Sequence, residues 1–148
     1  MYLSTDKILN VSWQRKIMEI KGHGLECILQ FSKPDFEGWM RTTVNVVVPN
    51  FEGAFSCTVE KNEFKAFVET LSELKNSIGK EFETRWGNME DNIEFTFILQ
   101  KLGGLTVSYK FSSNNFSLGP TLEGEFEADQ TFVDKWLKQA EEVVANSS

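Results

Sequence analysis

The fold is decided by residues 62–79, which read NEFKAFVETLSELKNSIG. Apolar side chains recur there at steps of three and four residues, so they share one face of a helix. They are Phe64, Phe67, Val68, Leu71, Leu74 and Ile78. Asn62 is expected to cap the first turn, and Gly79 to close the last turn in a left-handed conformation. The pattern predicts an amphipathic helix that gives apolar cover to the segments on either side.

Those segments alternate apolar and polar residues with the period of two that indicates half-buried strands. The alternation begins at Leu9, Val11 and Trp13, and it resumes after the helix. Residues 22–24 and 103–104 are glycine-rich and read as turns between consecutive strands. Consecutive alternating segments with short turns between them predict antiparallel pairing with one buried face.

A second amphipathic helix is predicted near the end of the chain, where Asp129 or Thr131 can cap it. Its apolar stripe consists of Phe132, Val133, Trp136, Leu137, Ala140 and Val144. The order strands, helix, strands, helix predicts an α+β fold, with residues 1–148 as a single domain. We expect a large curled antiparallel sheet of eight or nine strands with two helices packed on one face. The sheet should curl because strands twist right-handedly and two helices cannot cover so large a flat sheet.

The net charge of −7 is unevenly distributed along the chain. Residues 1–61 carry seven basic and seven acidic groups, whereas residues 62–148 carry eight basic and fifteen acidic groups. Nucleic acid and anionic membrane are poor partners for such a chain, because phosphate binding needs a basic surface. A basic protein partner is the functional interpretation of the excess, and solubility alone is the other. The chain has no run of about 18 apolar residues and no secretory signal pattern, so we expect a cytoplasmic protein.

Cysteine and histidine, which often act as catalytic residues or metal ligands, are rare in this sequence. Cys27 and Cys57 alternate in phase with apolar neighbours, which predicts buried free thiols. His23 lies between two glycines, as an exposed turn residue does. No spacing suggests a zinc site or a catalytic triad, and no glycine-rich segment leads directly into a helix as a phosphate loop does. We therefore predict no catalytic residue, no metal site and no cofactor.

Four residues are candidates for recognition. Glu123, Glu125 and Glu127 form an acidic row on one face of the last predicted strand. The row is a weak metal site, since a hard cation needs six or more converging oxygens, and a glycosidase pair requires carboxylates that face each other. A solvated sheet face or a protein-binding face remains. Trp39 is in phase with polar residues, which predicts either an exposed interface residue or one packed under the preceding loop.

A resemblance to a known family rests on the second half of the chain. The first helix carries F-x-x-F-V-x-x-L-x-x-L and is followed by Gly79 and Arg85-Trp86. An apolar strand, a glycine-containing hairpin and F-E-A-D-Q at residues 126–130 precede the last helix. With these motifs, residues 50–145 resemble a group of small bacterial proteins that includes the WapI-like immunity proteins. The resemblance implies binding and neutralisation of a cognate toxin, often a nuclease. It carries over no binding residue, because the matching positions are ones that the fold itself requires.

Three function classes follow. The first is a non-enzymatic domain that binds a basic protein partner, such as a toxin domain, through an acidic surface. The alternative is a small-molecule binding module, which a cavity with converging polar groups between helices and sheet would favour. The third is a carboxylate-dependent hydrolase, which needs two carboxyl groups in one cleft. A closed core with an acidic outer face would favour the first class.

Overall fold

The computed structural model describes residues 16–146 and shows four strands and a helix, twice over. The first half contains β1 (Lys16–Gly22), β2 (Leu25–Phe31), β3 (Trp39–Val48), β4 (Phe51–Glu60) and α1 (Lys61–Asn76). The second half contains β5 (Phe82–Gly87), β6 (Ile93–Leu99), β7 (Gly104–Ser112), β8 (Thr121–Asp129) and α2 (Gln130–Ala145). A short 3-10 turn, Asn115–Ser117, lies between β7 and β8. The strand predicted around Leu9–Trp13 lies outside the described residues.

The strands form two antiparallel sheets, in the orders β1-β2-β3-β4 and β5-β6-β7-β8. The α+β fold with two helices is therefore confirmed, whereas the prediction of one sheet of eight or nine strands is wrong. Helix α1 follows β4 directly and separates it from β5, so these two strands do not pair. Within residues 16–146, a single isolated backbone bridge joins the sheets, where His23 N–H donates to the Glu127 carbonyl oxygen at 2.8 Å.

The helix of each half packs against a strand of the other half. Helix α1 lies along β5 of the second half, α2 lies along β1 of the first, and the two helices contact each other. Their buried faces correspond at a separation of 69 residues, with Phe67 matched by Trp136 and Leu71 by Ala140. Each helix therefore packs against both halves, which share one hydrophobic core.

The helix starts are set by carboxylates. Glu60 caps α1 by accepting hydrogen bonds from the amides of Asn62 and Glu63 at 2.8 and 3.3 Å, and Glu63 accepts from the Glu60 amide at 2.8 Å. The prediction of Asn62 as the cap is wrong, because β4 ends at Glu60 and the cap lies two residues earlier than predicted. Asp129 caps α2 through the Thr131 amide at 2.9 Å, which confirms one of the two predicted caps.

Aromatic rings fill the space between the helices and the sheets. Phe64 meets Phe31 edge to face at 4.8 Å, and Phe67 stacks on Trp86 at 4.4 Å between ring centroids. Cys27 and Cys57 are buried and unbridged, as predicted. Burial raises the pKa of both thiols to about 12, so neither is a thiolate at neutral pH.

Candidate interaction surface

The acidic row lies on β8, an edge strand of the second sheet. Glu123, Glu125 and Glu127 are exposed, whereas Phe126 and Ala128 are buried, so the alternation predicted from the sequence is confirmed. That the row binds a partner stays a prediction.

The inner face of β8 is held by aromatic packing, which fixes the direction of the row. The Phe126 ring meets Trp136 of α2 edge to face at 6.1 Å. Tyr109 is the cross-strand partner of Gly124, and a Cβ at that glycine would lie 2.8 Å from the Tyr109 Cζ. Glycine therefore makes room for the tyrosine ring, which is an ordinary reason for glycine inside a strand. Burial raises the pKa of the Tyr109 hydroxyl.

Strand register determines which carboxylates of the row have an opposite charge across from them. Glu123 pairs with Lys110, whereas Glu125 pairs with Ser108 and Glu127 with Thr106. Among residues 16–146, none of the three glutamates forms an ion pair within 4.0 Å. Glu125 and Glu127 therefore have no basic residue directly opposite them on the neighbouring strand.

Trp39 lies apart from the acidic row, at the start of β3 in the other sheet. It is partly buried and pairs across the strands with Glu60. The Trp39 amide donates to the Asp35 carboxylate at 3.0 Å, which ties the tryptophan to the preceding loop. The structure therefore brings Trp39 beside the start of α1 and does not join it to Glu123, Glu125 and Glu127.

On the part of the chain that the structure describes, open clefts lie on the first sheet, beside the β3–β4 hairpin and between the exposed sides of the two helices, rather than between the helices and the sheets. An open apolar cleft of about 210 Å³ lies between the β3–β4 hairpin and the beginning of β8. Phe51, Phe55, Phe111 and Leu122 line it. Its volume is below the 300–1,000 Å³ or so of typical ligand sites. Among residues 16–146, aromatic rings such as Phe64 and Phe67 occupy the space between the helices and the sheets.

The described residues also bear on metal and membrane binding. In the range 16–146, no group of three or more histidine, cysteine, aspartate or glutamate side chains is arranged to hold a metal ion. The same part of the chain contains no helix that is both long enough and apolar enough to cross a membrane.

Sequence reasoning missed several large apolar side chains that the fold leaves exposed. Phe36 is 97% exposed, Met89 66% and Phe116 64%. The loop before Trp39 was visible as Phe36-Glu37-Gly38, which could have signalled the first of them. Met89 and Phe116 lie in loops without periodicity, so no local pattern marks them as exposed.

Comparison with known proteins identifies the family. The model of the immunity protein WapI-like family matches residues 16–147. The chain belongs to the immunity protein WapI-like family. The match covers both halves of the fold and so extends the resemblance seen in the second half of the sequence.

Other comparisons add little to this family assignment. The sequence matches no curated protein. A chain from the crystal structures of Trypanosoma brucei MRP1/MRP2 has 12% sequence identity and a TM-score of 0.43, covering 95% of this chain and 94% of that one. A likeness at this level supports no inference about function.

Proposed function

We propose that this protein binds a basic toxin domain and neutralises it without catalysing a reaction, with the acidic row of β8 as a recognition surface. Its membership in an immunity-protein family supports a toxin as the partner. The observation that carries the choice of surface is that Glu125 and Glu127 form no ion pair with a described residue and stand opposite Ser108 and Thr106 on an edge strand. Clustered exposed charge of one sign raises the association rate of an oppositely charged partner by about 10–10³-fold.

The test replaces Glu123, Glu125 and Glu127 together by glutamine. This substitution nearly keeps side-chain shape and removes three negative charges. The control replaces three other exposed glutamates by glutamine, Glu69 and Glu73 on α1 and Glu142 on α2. Both variants have the same net charge, so a difference between them reports where the charge lies.

Binding is measured with a purified basic toxin domain encoded in the same genome. The row variant should associate at least about 10-fold more slowly than the parent and lose most of its salt dependence, while the control stays near the parent. Equal association rates for the two variants would show that the row is only a solvated face. A parent protein that fails to bind the toxin domain, or to restore growth of cells that express it, would overturn the proposed function.

A further inference from the structure

We propose that a second surface holds the same partner in place: three turns at one end of the molecule, which present exposed apolar side chains amid carboxylates. The turns are residues 35–38, 89–91 and 115–118, and together with the start of α1, residues 60–63, they are called the loop surface below. This inference rests on the proposed function, since it assigns to the toxin domain a second set of contacts. Its occupant is a basic protein surface with an apolar centre.

The turns are joined to one another by hydrogen bonds. The Lys61 amide donates to the Gly38 carbonyl oxygen at 2.8 Å, which joins the first turn to the start of α1. The Glu63 carboxylate accepts from the Met89 amide, which joins that helix start to the second turn. The Phe116 amide donates to the Glu90 carbonyl oxygen at 2.6 Å, which joins the second turn to the third. Segments distant in sequence therefore form one continuous surface.

Hydrogen bonds fix the backbone of the first turn, from which Phe36 projects. The Asp35 carboxylate accepts from the amides of Glu37 and Trp39 at 2.9 and 3.0 Å, and the Asp35 carbonyl oxygen accepts from the Gly38 amide at 3.0 Å. Gly38 has a φ of +91°, which glycine adopts at little cost. The backbone that carries Phe36, whose side chain is 97% exposed, is therefore pre-organised, so binding would lose little backbone entropy there.

The second turn is held by buried amide groups. The Asn88 side-chain oxygen accepts from the amides of Asn92 and Ile93 at 2.8 Å each, and both asparagines are buried. Met89 projects from this turn with 66% of its surface exposed.

The third turn carries backbone strain. Phe116 has a φ of 60° and a ψ of 32°, a left-handed conformation that is unfavourable for a bulky L-residue. Phe116 is nevertheless 64% exposed, so packing in the core does not offset the strain. Strained backbone conformations are found most often at functional sites, where the strain positions a side chain for binding at a cost in local stability.

The charge of the loop surface selects the class of partner. Its four segments contain six acidic residues and one basic residue, Lys61. A second copy of this chain would meet like charge, and an anionic membrane would be repelled. A basic protein surface is complementary in charge, and its apolar groups can contact Phe36, Met89 and Phe116. Desolvated apolar and aromatic anchors of this kind contribute most of the free energy of protein–protein binding.

The two surfaces should differ in their kinetic effects, which makes them separable. Exposed rim charge acts mainly on association, whereas buried apolar anchors act mainly on dissociation. Phe36→Ser and Met89→Ser remove apolar groups from the loop surface. The matched control is Leu102→Ser, because Leu102 is 99% exposed in the turn between β6 and β7, at the other end of the second sheet. Phe116→Gly removes the third anchor and suits the left-handed backbone, so its melting temperature should not fall.

Dissociation from the same toxin domain should become at least about 10-fold faster in Phe36→Ser, Met89→Ser and Phe116→Gly. Their salt dependence should remain that of the parent, and Leu102→Ser should match the parent throughout. If the parent binds and the loop variants dissociate like Leu102→Ser, this inference fails and the proposed function stands. If the parent does not bind, both fail. Co-sedimentation of the parent, but not of Phe36→Ser, with phosphatidylcholine vesicles would assign the loops to a membrane and overturn the inference.

Discussion

The indole Nε1 of Trp86 donates a hydrogen bond of 2.9 Å to the backbone carbonyl oxygen of Glu63. Trp86 is the buried residue near the end of β5, and Glu63 lies in the first turn of α1, so the bond joins the two halves of the chain. The indole ring also stacks on Phe67 of the same helix. Because the Glu63 carboxylate accepts from the Met89 amide, one residue positions both β5 and the turn that follows it.

Because α1 packs against both halves, we expect truncation of a buried side chain on this helix to destabilise the whole molecule. Leu71 is fully buried on this helix, and Leu71→Ala should cost about 2–5 kcal/mol of unfolding free energy. Glu69→Ala, at an exposed position of the same helix, is the control. Denaturant unfolding should show one transition, as expected for a single domain. Two transitions, or a loss below about 0.5 kcal/mol for Leu71→Ala, would contradict this picture.

The pH dependence of the unfolding free energy should reflect the raised pKa of the Glu63 carboxyl. Burial raises the pKa of its carboxyl above the ordinary value of 4.5, against the lowering effect of hydrogen bonds from the amides of Glu60 and Met89. A carboxyl with a raised folded-state pKa contributes stability below the unfolded-state pKa and loses it as the pH rises through the folded-state pKa. The unfolding free energy of the parent relative to Glu63→Gln should therefore fall as the pH rises above the ordinary carboxyl pKa of 4.5 and through the folded-state pKa.

Chemical denaturation at several pH values measures this difference. Glu73→Gln, which removes an exposed charge from the same helix, controls for the loss of charge alone. A parent that gains stability relative to Glu63→Gln as the pH rises would mean that the two hydrogen bonds outweigh burial.

Two glycines, each in the last strand of its half, should respond differently to alanine. Gly124 in β8 faces the Tyr109 ring, and an added Cβ would overlap the hydroxyl group. Gly53 in β4 has no atom within 4 Å of an added Cβ. Gly124→Ala should therefore cost about 1–3 kcal/mol through overpacking, and Gly53→Ala should change stability by less than about 0.5 kcal/mol. Thermal unfolding of both variants checks this, and equal losses would show that strand propensity rather than the ring contact decides.

Local periodicity in the sequence was enough to predict which face of a helix or strand is buried. The steps of three and four that placed Phe64 and Leu71 on one helix face, and the period of two that turned Glu125 away from Phe126, both appear in the structure. Each such pattern is set by the geometry of one element, so it can be read without knowing what the element packs against. The exposure of the acidic row was predictable for this reason.

Tertiary structure alone decided how the elements combine. Pairing of Glu60 with Trp39 extends β4 up to the helix and makes Glu60 the cap in place of Asn62. The division into two sheets follows from the packing of α1 on β5, a contact between the two halves that no local pattern encodes.

In the sequence, the excess negative charge lies after residue 61. The loop surface nevertheless contains carboxylates from both halves of the chain, such as Glu37 and Glu90. Hydrogen bonds between distant turns bring these residues together. Because such bonds depend on where the chain returns in space, the loop surface could be found only in the folded molecule.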